Sequence, residues 1–278
     1  MSKIFTRSFR VRWGELDSRG TVSPANYLRY LSETAWDWGD AVGLGVNDSQ
    51  TLNLFWVIRE TEIRFLRPLR HNDIFEFTIW LVNWQRVRGT RCFELKLKEN
   101  SDVIAQGTQQ VVSMDAKTGK PVSLPEDVID RFRHESPRVF PFERFPKIAP
   151  VETPHSTQRQ VESMDLDVYE HVNNAIYIDY AEEAAAQDFS SRGWSPAKLA
   201  EANLAVVIRR LHILYSAQPA WGETLTITTH VLDVKEMGGS RYVGMTHADG
   251  SSVAECIMDW ELVDRKSAEA RPLPDELR

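Results

Sequence analysis

Asp167 and His171 stand four residues apart in DLDVYEHVNNAIY (165–177), a short polar run that pairs a carboxylate with an imidazole. In that pairing the carboxylate can serve as general base or nucleophile. The imidazole can orient a water or a carbonyl, or share the base role. Asn173 follows at a helix-cap position, and a helix start offers free N–H groups and partial positive charge suited to an oxyanion. Asp and Asn are also ordinary turn and cap residues. That plainer role suits Asn173, and it suits Asp17, which stands in a similar run, ELDSRGTVSPANY (15–27). Glu33 and Glu183 recur at one helical position, where a buried helix–sheet contact explains them as well as chemistry does.

Other chemistries lack their residues. The chain has no Gly-x-Ser-x-Gly elbow and no phosphate-cradling glycine loop. His71, His134, His155, His212, His230 and His247 are scattered without ligand spacing and read as surface or partly packed residues. Cys92 and Cys256 form neither a Cys-x-x-Cys pair nor a zinc pattern, so no metal site is expected.

The elements that position Asp17 and Asp167 occur twice. Residues 15–33 laid over 165–183, an offset of 150, agree at seven of 19 positions, including Asp17/Asp167, Tyr27/Tyr177 and Tyr30/Tyr180. About one agreement is expected by chance. At the same offset NLFWVIR (53–59) meets NLAVVIR (203–209) with five identities in seven. Each half therefore reads as a short strand (5–13; 157–164), a polar turn, a helix ending near Val42 or Phe189, and four strands. These strands are expected at 54–66, 73–84, 91–99 and 103–115, then at 204–215, 223–234, 240–247 and 252–263. Ser23 before Pro24 is an N-cap signal, Gly43 and Gly193 are helix stops, and 124–134 reads as a short helix. The expected division is 1–136, a proline-rich linker over 137–156, and 157–278, with the halves packed together. The fold class is α+β.

With these residues in place, the chain resembles the double (tandem) hotdog arrangement, a long helix wrapped by an antiparallel sheet in each half. The run 165–177 resembles the Asp-x-x-x-His-Val-Asn-Asn-x-x-Tyr signature of hotdog-fold thioesterases, above all the acyl-[acyl carrier protein] thioesterases. The run 15–27 is similar to the Asp-x-x-Gly-x-Val version of 4-hydroxybenzoyl-CoA thioesterase-like enzymes. The resemblance implies hydrolysis of fatty acyl-carrier-protein or acyl-CoA thioesters to free acid and thiol, in fatty acid biosynthesis and lipid metabolism, without a cofactor. It implies an active site where two hotdogs meet, with catalytic Asp167 and His171 and with Asp17 as the first-half equivalent. Tyr169 stands where the carrier-protein branch has Asn, and Gln218 where it has an acidic residue. These two, Asn173, and the arginines Arg64 and Arg67 are the expected substrate-binding residues. A hydratase or dehydratase of acyl thioesters and a non-catalytic acyl-thioester-binding protein are the alternatives, the first lacking its His-Phe-Pro-Gly type motif.

Composition bounds the rest. The 278 residues are 42% hydrophobic and 26% charged, as in a globular protein with a core. No apolar run reaches the roughly 18 residues of a membrane span, and the charged N-terminus lacks a signal-peptide pattern. Two cysteines make a reducing cytoplasm the expected compartment. The net charge of −7 disfavours nucleic acid as a partner. It divides into +2 for residues 1–139 and −9 for 140–278, so the arginines of the first half suit CoA phosphates or an acidic carrier protein. One chain with both hotdogs is a monomeric pseudo-dimer or further forms a homodimer.

Overall fold

In FEFTI (75–79) the apolar Phe75, Phe77 and Ile79 alternate with Glu76 and Thr78, a period of two that gives one strand a dry and a wet face. All three apolar side chains are buried. The computed structural model of the chain describes residues 4–45, 53–134 and 138–277, and residues 1–143 and 144–278 form two compact units. Among the described residues no helix is long and apolar enough to cross a membrane.

The first unit contains β1 (Ile4–Arg10), α1 (Pro24–Ala41), β2 (Leu54–Phe65), β3 (Ile74–Gln85), β4 (Arg88–Leu97), β5 (Val103–Asp115) and α2 (Glu126–Phe132). Its antiparallel sheet has the order β1-β3-β4-β5-β2. Helix α1 buries Tyr27, Leu28, Leu31 and Trp38. Tyr30 and Phe9 both pack on Phe75, with ring centroids 4.9 and 5.5 Å away. Burial of such side chains contributes about 1.5–3 kcal/mol each.

The second unit contains β6 (His155–Gln160), α3 (Ile176–Ser191), α4 (Pro196–Glu201), β7 (Leu204–Tyr215), β8 (Thr224–Lys235), β9 (Gly238–Thr246) and β10 (Ser252–Asp264). Its order, β6-β8-β9-β10-β7, repeats that of the first unit strand for strand. The duplication reaches the irregularities: register slips occur between Leu81 and Asn83 in β3 and between Val231 and Asp233 in β8, positions 150 apart. Each unit is α+β, with one long helix on an antiparallel sheet in the hotdog manner.

Gly43 and Gly193 follow the two long helices with φ of 72° and 84°, the left-handed backbone of a helix stop. The first strand of each unit is shorter than expected. After Arg10 and Gln160 the chain tightens into 3-10 turns at Trp13–Glu15 and Ser163–Asp165. Glu15 fastens one by accepting the Arg12 N–H at 2.6 Å, and Asp165 the other by accepting the Glu162 N–H at 2.8 Å. Helix α4 adds to the expected elements and opens on a cap signal, with Ser195 Oγ accepting the Lys198 N–H and Pro196 at the first position.

Residues 138–154 hold no regular element, but their beginning is pinned to the first unit. Trp80 Nε1 donates to the Arg138 carbonyl at 2.6 Å, Phe140 packs on Trp80, and Arg138 pairs with the buried Glu94 at 2.6 Å. Trp80 and Cys92 lie opposite each other in the β3–β4 ladder, on the face away from Phe77 and Phe93.

Candidate functional site

Two loops of the same geometry precede the long helices. In the second unit Asp167 N donates to the His171 carbonyl at 2.8 Å and Glu170 N to the Asp167 carbonyl at 3.0 Å. In the first, Asp17 N donates to the Thr21 carbonyl at 2.8 Å and Gly20 N to the Asp17 carbonyl at 3.0 Å. The turn needs a left-handed residue, supplied by Gly20 at φ 74° and by Glu170 at φ 60°. The carboxylates complete both loops through one oxygen. Asp17 Oδ1 accepts the N–H of Arg19 at 2.8 Å and of Thr21 at 3.3 Å, and Asp167 Oδ1 those of Tyr169 at 2.9 Å and His171 at 3.4 Å. Each aspartate thus spends one oxygen on its own turn, the role expected for Asp17 and an additional one for Asp167.

The second oxygen separates the two copies. Asp17 Oδ2 accepts Arg19 Nε at 2.8 Å, pairs with a terminal nitrogen of the same guanidinium, and accepts Thr21 Oγ1 at 3.2 Å. At Asp167 the equivalents of Arg19 and Thr21 are Tyr169 and His171, and Oδ2 has no partner among the described residues. Asp167 and His171 are both half-buried, and Tyr169 is partly exposed beside them. Burial, then the charge of Asp167, raises the Tyr169 hydroxyl above the usual tyrosine pKa.

The helix starts differ as well. Ser23 caps α1 as expected, with Pro24 first in the helix, although its hydroxyl accepts from Asn26 Nδ2 instead of a backbone N–H. Asn173 does not cap α3. Its Oδ1 accepts the Ala175 N–H at 3.0 Å and its carbonyl the Ile176 N–H at 2.9 Å, a turn that delays the helix to Ile176. The Asn174 N–H is left without a partner among the described residues. Its counterpart Pro24 has no N–H.

Beneath each loop lies a brace that the sequence reading missed. Tyr180 donates to Asp165 Oδ2 at 2.5 Å, and Tyr30 donates to Glu15 Oε2 at 2.5 Å. The Asp165 carbonyl accepts the Asn173 N–H at 2.9 Å, so this acid holds the loop from below. The signal was present as the acid and the tyrosine, 15 residues apart in both copies.

Gln218 is exposed, and its Oε1 accepts the hydroxyl of the buried Tyr177 at 3.2 Å. In the first unit Tyr27 instead accepts the Leu69 N–H at 3.2 Å. Pro219 stands at Leu69's place and lacks that N–H, so the second hydroxyl turns to Gln218. Further along, Glu223 accepts the Ala220 N–H at 3.0 Å and pairs with His247, which holds the Glu223 carboxyl below the usual range. His212, expected at the surface or partly packed, is fully buried with Phe145 edge-on to its ring.

Arg64 and Arg67 belong to the first unit and are both tied to carboxylates. Arg64 bonds Glu62 at 3.1 Å and lies 3.8 Å from Glu143, and Arg67 pairs with Asp102. Glu33 and Glu183 are exposed, not buried, because they lie on the outer side of their helices. Glu33 pairs there with Arg7 at 3.0 Å, and Glu183 accepts from Gln187. Among the described residues no cluster of three or more His, Cys, Asp or Glu is placed to hold a metal ion.

Three comparisons bear on this arrangement. A family model described as the thioesterase-like superfamily matches residues 11–132 and 161–278. The long-chain acyl-CoA thioesterase FadM of Escherichia coli is 32% identical over 126 residues, covering 44% of this chain and 92% of that protein. The chloroplastic oleoyl-acyl carrier protein thioesterase of Coriandrum sativum is 26% identical over 200 residues, which are 66% of this chain. The chain spans only 54% of that relative's length. The solved 12:0-ACP thioesterase from Umbellularia californica has the same fold, with a TM-score of 0.77 at 19% identity over 94% of this chain and 98% of that one.

Proposed function

The chain belongs to the thioesterase-like superfamily, and on that premise we propose that it is a tandem hotdog thioesterase hydrolysing fatty acyl thioesters of acyl carrier protein or CoA. The observation that supports this most is the uncommitted oxygen of Asp167, set against a twin, Asp17, whose carboxylate is fully engaged.

In this reading Asp167 Oδ2 accepts a proton from water as that water attacks the thioester carbonyl. The new C–O bond forms as the carbonyl electrons move onto oxygen. The oxyanion is met by the Asn174 N–H and the positive end of α3. Collapse breaks the C–S bond and releases the thiolate, which takes up the proton, and a free acid remains. His171 orients the water or the carbonyl, with Tyr169 and Gln218 lining the approach and Asn173 shaping the turn that leaves the N–H free. Asp17 keeps a structural role. The substrates named for the relatives support a role in fatty acid metabolism.

Asp167→Ala should lose at least about a hundredfold in kcat while still binding acyl thioester. Thiol release followed across a chain-length series on both carriers reads this directly. Full turnover by the variant would overturn the assignment.

A further inference from the structure

The two copies differ systematically in arginine around their loops. Arg10, Arg12, Arg19, Arg64, Arg67 and Arg70 of the first unit correspond in sequence to Gln160, Glu162, Tyr169, Leu214, Ala217 and Ala220 of the second. All six cations are missing from the second copy. In the first, Arg19, Arg64 and Arg67 are neutralised by Asp17, Glu62 and Asp102. Arg10, Arg12 and Arg70 are exposed and have no carboxylate partner among the described residues.

Backbone pairing brings these three together. Val11 N donates to the Asp73 carbonyl at 2.9 Å, Asn72 N returns to the Val11 carbonyl at 3.3 Å, and Arg10 clasps Asn72 Oδ1 at 2.8 Å. Trp13, 76% exposed, meets His71 edge-on with centroids 5.5 Å apart. The nearby acids are already used: Asp73 accepts the Arg70 N–H, and Glu15 accepts from Arg12 N and Tyr30.

We infer that this face, Arg10, Arg12, Trp13 and Arg70, docks an acidic protein surface, that of the acyl carrier protein presenting the substrate. The inference rests on the thioesterase reading for the partner's identity. Uncompensated guanidinium groups around an exposed tryptophan are the composition of a protein interface. Electrostatic complementarity of this kind speeds encounter and selects partners. A nucleotide such as that of CoA calls for a concave site. A pocket in this unit lies elsewhere, lined by Glu62, Arg64, Gln106, Gly107, Thr108 and Phe140.

The test is direct binding of unacylated, phosphopantetheine-bearing carrier protein to the full chain, wild type against Arg12→Glu/Arg70→Glu, alongside hydrolysis of acyl-carrier-protein, acyl-CoA and a carrier-free acyl thioester. Carrier affinity and kcat/KM on acyl-carrier-protein should fall about tenfold or more and weaken with salt, with carrier-free turnover unchanged. Unchanged carrier affinity, or a loss confined to acyl-CoA, overturns the docking assignment. Carrier binding that depends on these arginines without thiol release from any substrate would instead keep the docking face and refute the hydrolase. Trp13→Ala provides an uncharged second variant, and its carrier affinity should fall as well; no change would count against the face.

Discussion

Arg19 donates to Asp17 Oδ2 from Nε at 2.8 Å and pairs with it through a second guanidinium nitrogen, and this clasp is what the Asp167 loop lacks. A guanidinium in bidentate contact with a carboxylate occupies the lone pairs a water would use. Placing the clasp in the second loop with Tyr169→Arg should reduce thioester turnover by about a hundredfold, with the melting temperature little changed. Arg19→Tyr should add no activity, because Pro24 still offers no N–H. Thiol-release assays of both variants read the comparison.

The paired tyrosines predict an asymmetry in stability. Tyr27→Phe leaves the N–H of the fully buried Leu69 unpaired, a cost of about 1–3 kcal/mol. Tyr177→Phe frees only the exposed Gln218 side chain and should cost about 1 kcal/mol or less. Urea unfolding of the two variants should rank them in that order. Tyr177→Phe should also alter turnover if Gln218 must be held in place.

Arg241, 1% exposed, donates to Asp188 at 2.7 Å and to Thr229 at 3.1 Å, while its Nε has no hydrogen-bond partner among the described residues. Burial lowers its pKa, with Asp188 opposing. Asp188→Ala should destabilise the protein by about 3–5 kcal/mol through the stranded charge. Replacing both with apolar residues, Asp188→Leu/Arg241→Met, should recover most of that in denaturant titrations.

Acid stability follows from the turn after β10. Backbone N–H groups of Ser267 and Lys266, with Arg271 and Asn203, pull the Asp264 carboxyl down to about 2. Its folded pKa therefore lies below the unfolded value of about 3.9. The stabilisation is present above about pH 4 and fades as the pH falls toward 2. Asp264→Asn should flatten the decline of melting temperature over that interval, with no change in slope near neutrality.

The duplication, the α+β class, the strand positions and the turn role of Asp17 were legible in the chain because they rest on local pattern. Alternation fixes a strand's faces, glycine fixes a left-handed stop, and an Asp side chain bonds the N–H groups two and four residues ahead. What the linear order could not express is which groups are already occupied. Arg19 satisfies Asp17, Pro219 diverts Tyr177 to Gln218, Asp165 and Tyr180 brace the loop, and Arg64 and Arg67 are ion-paired while Arg10, Arg12 and Arg70 have no carboxylate partner among the described residues. Hydrogen bonds and ion pairs saturate, so a residue's availability depends on neighbours that only the folded backbone brings within about 3 Å.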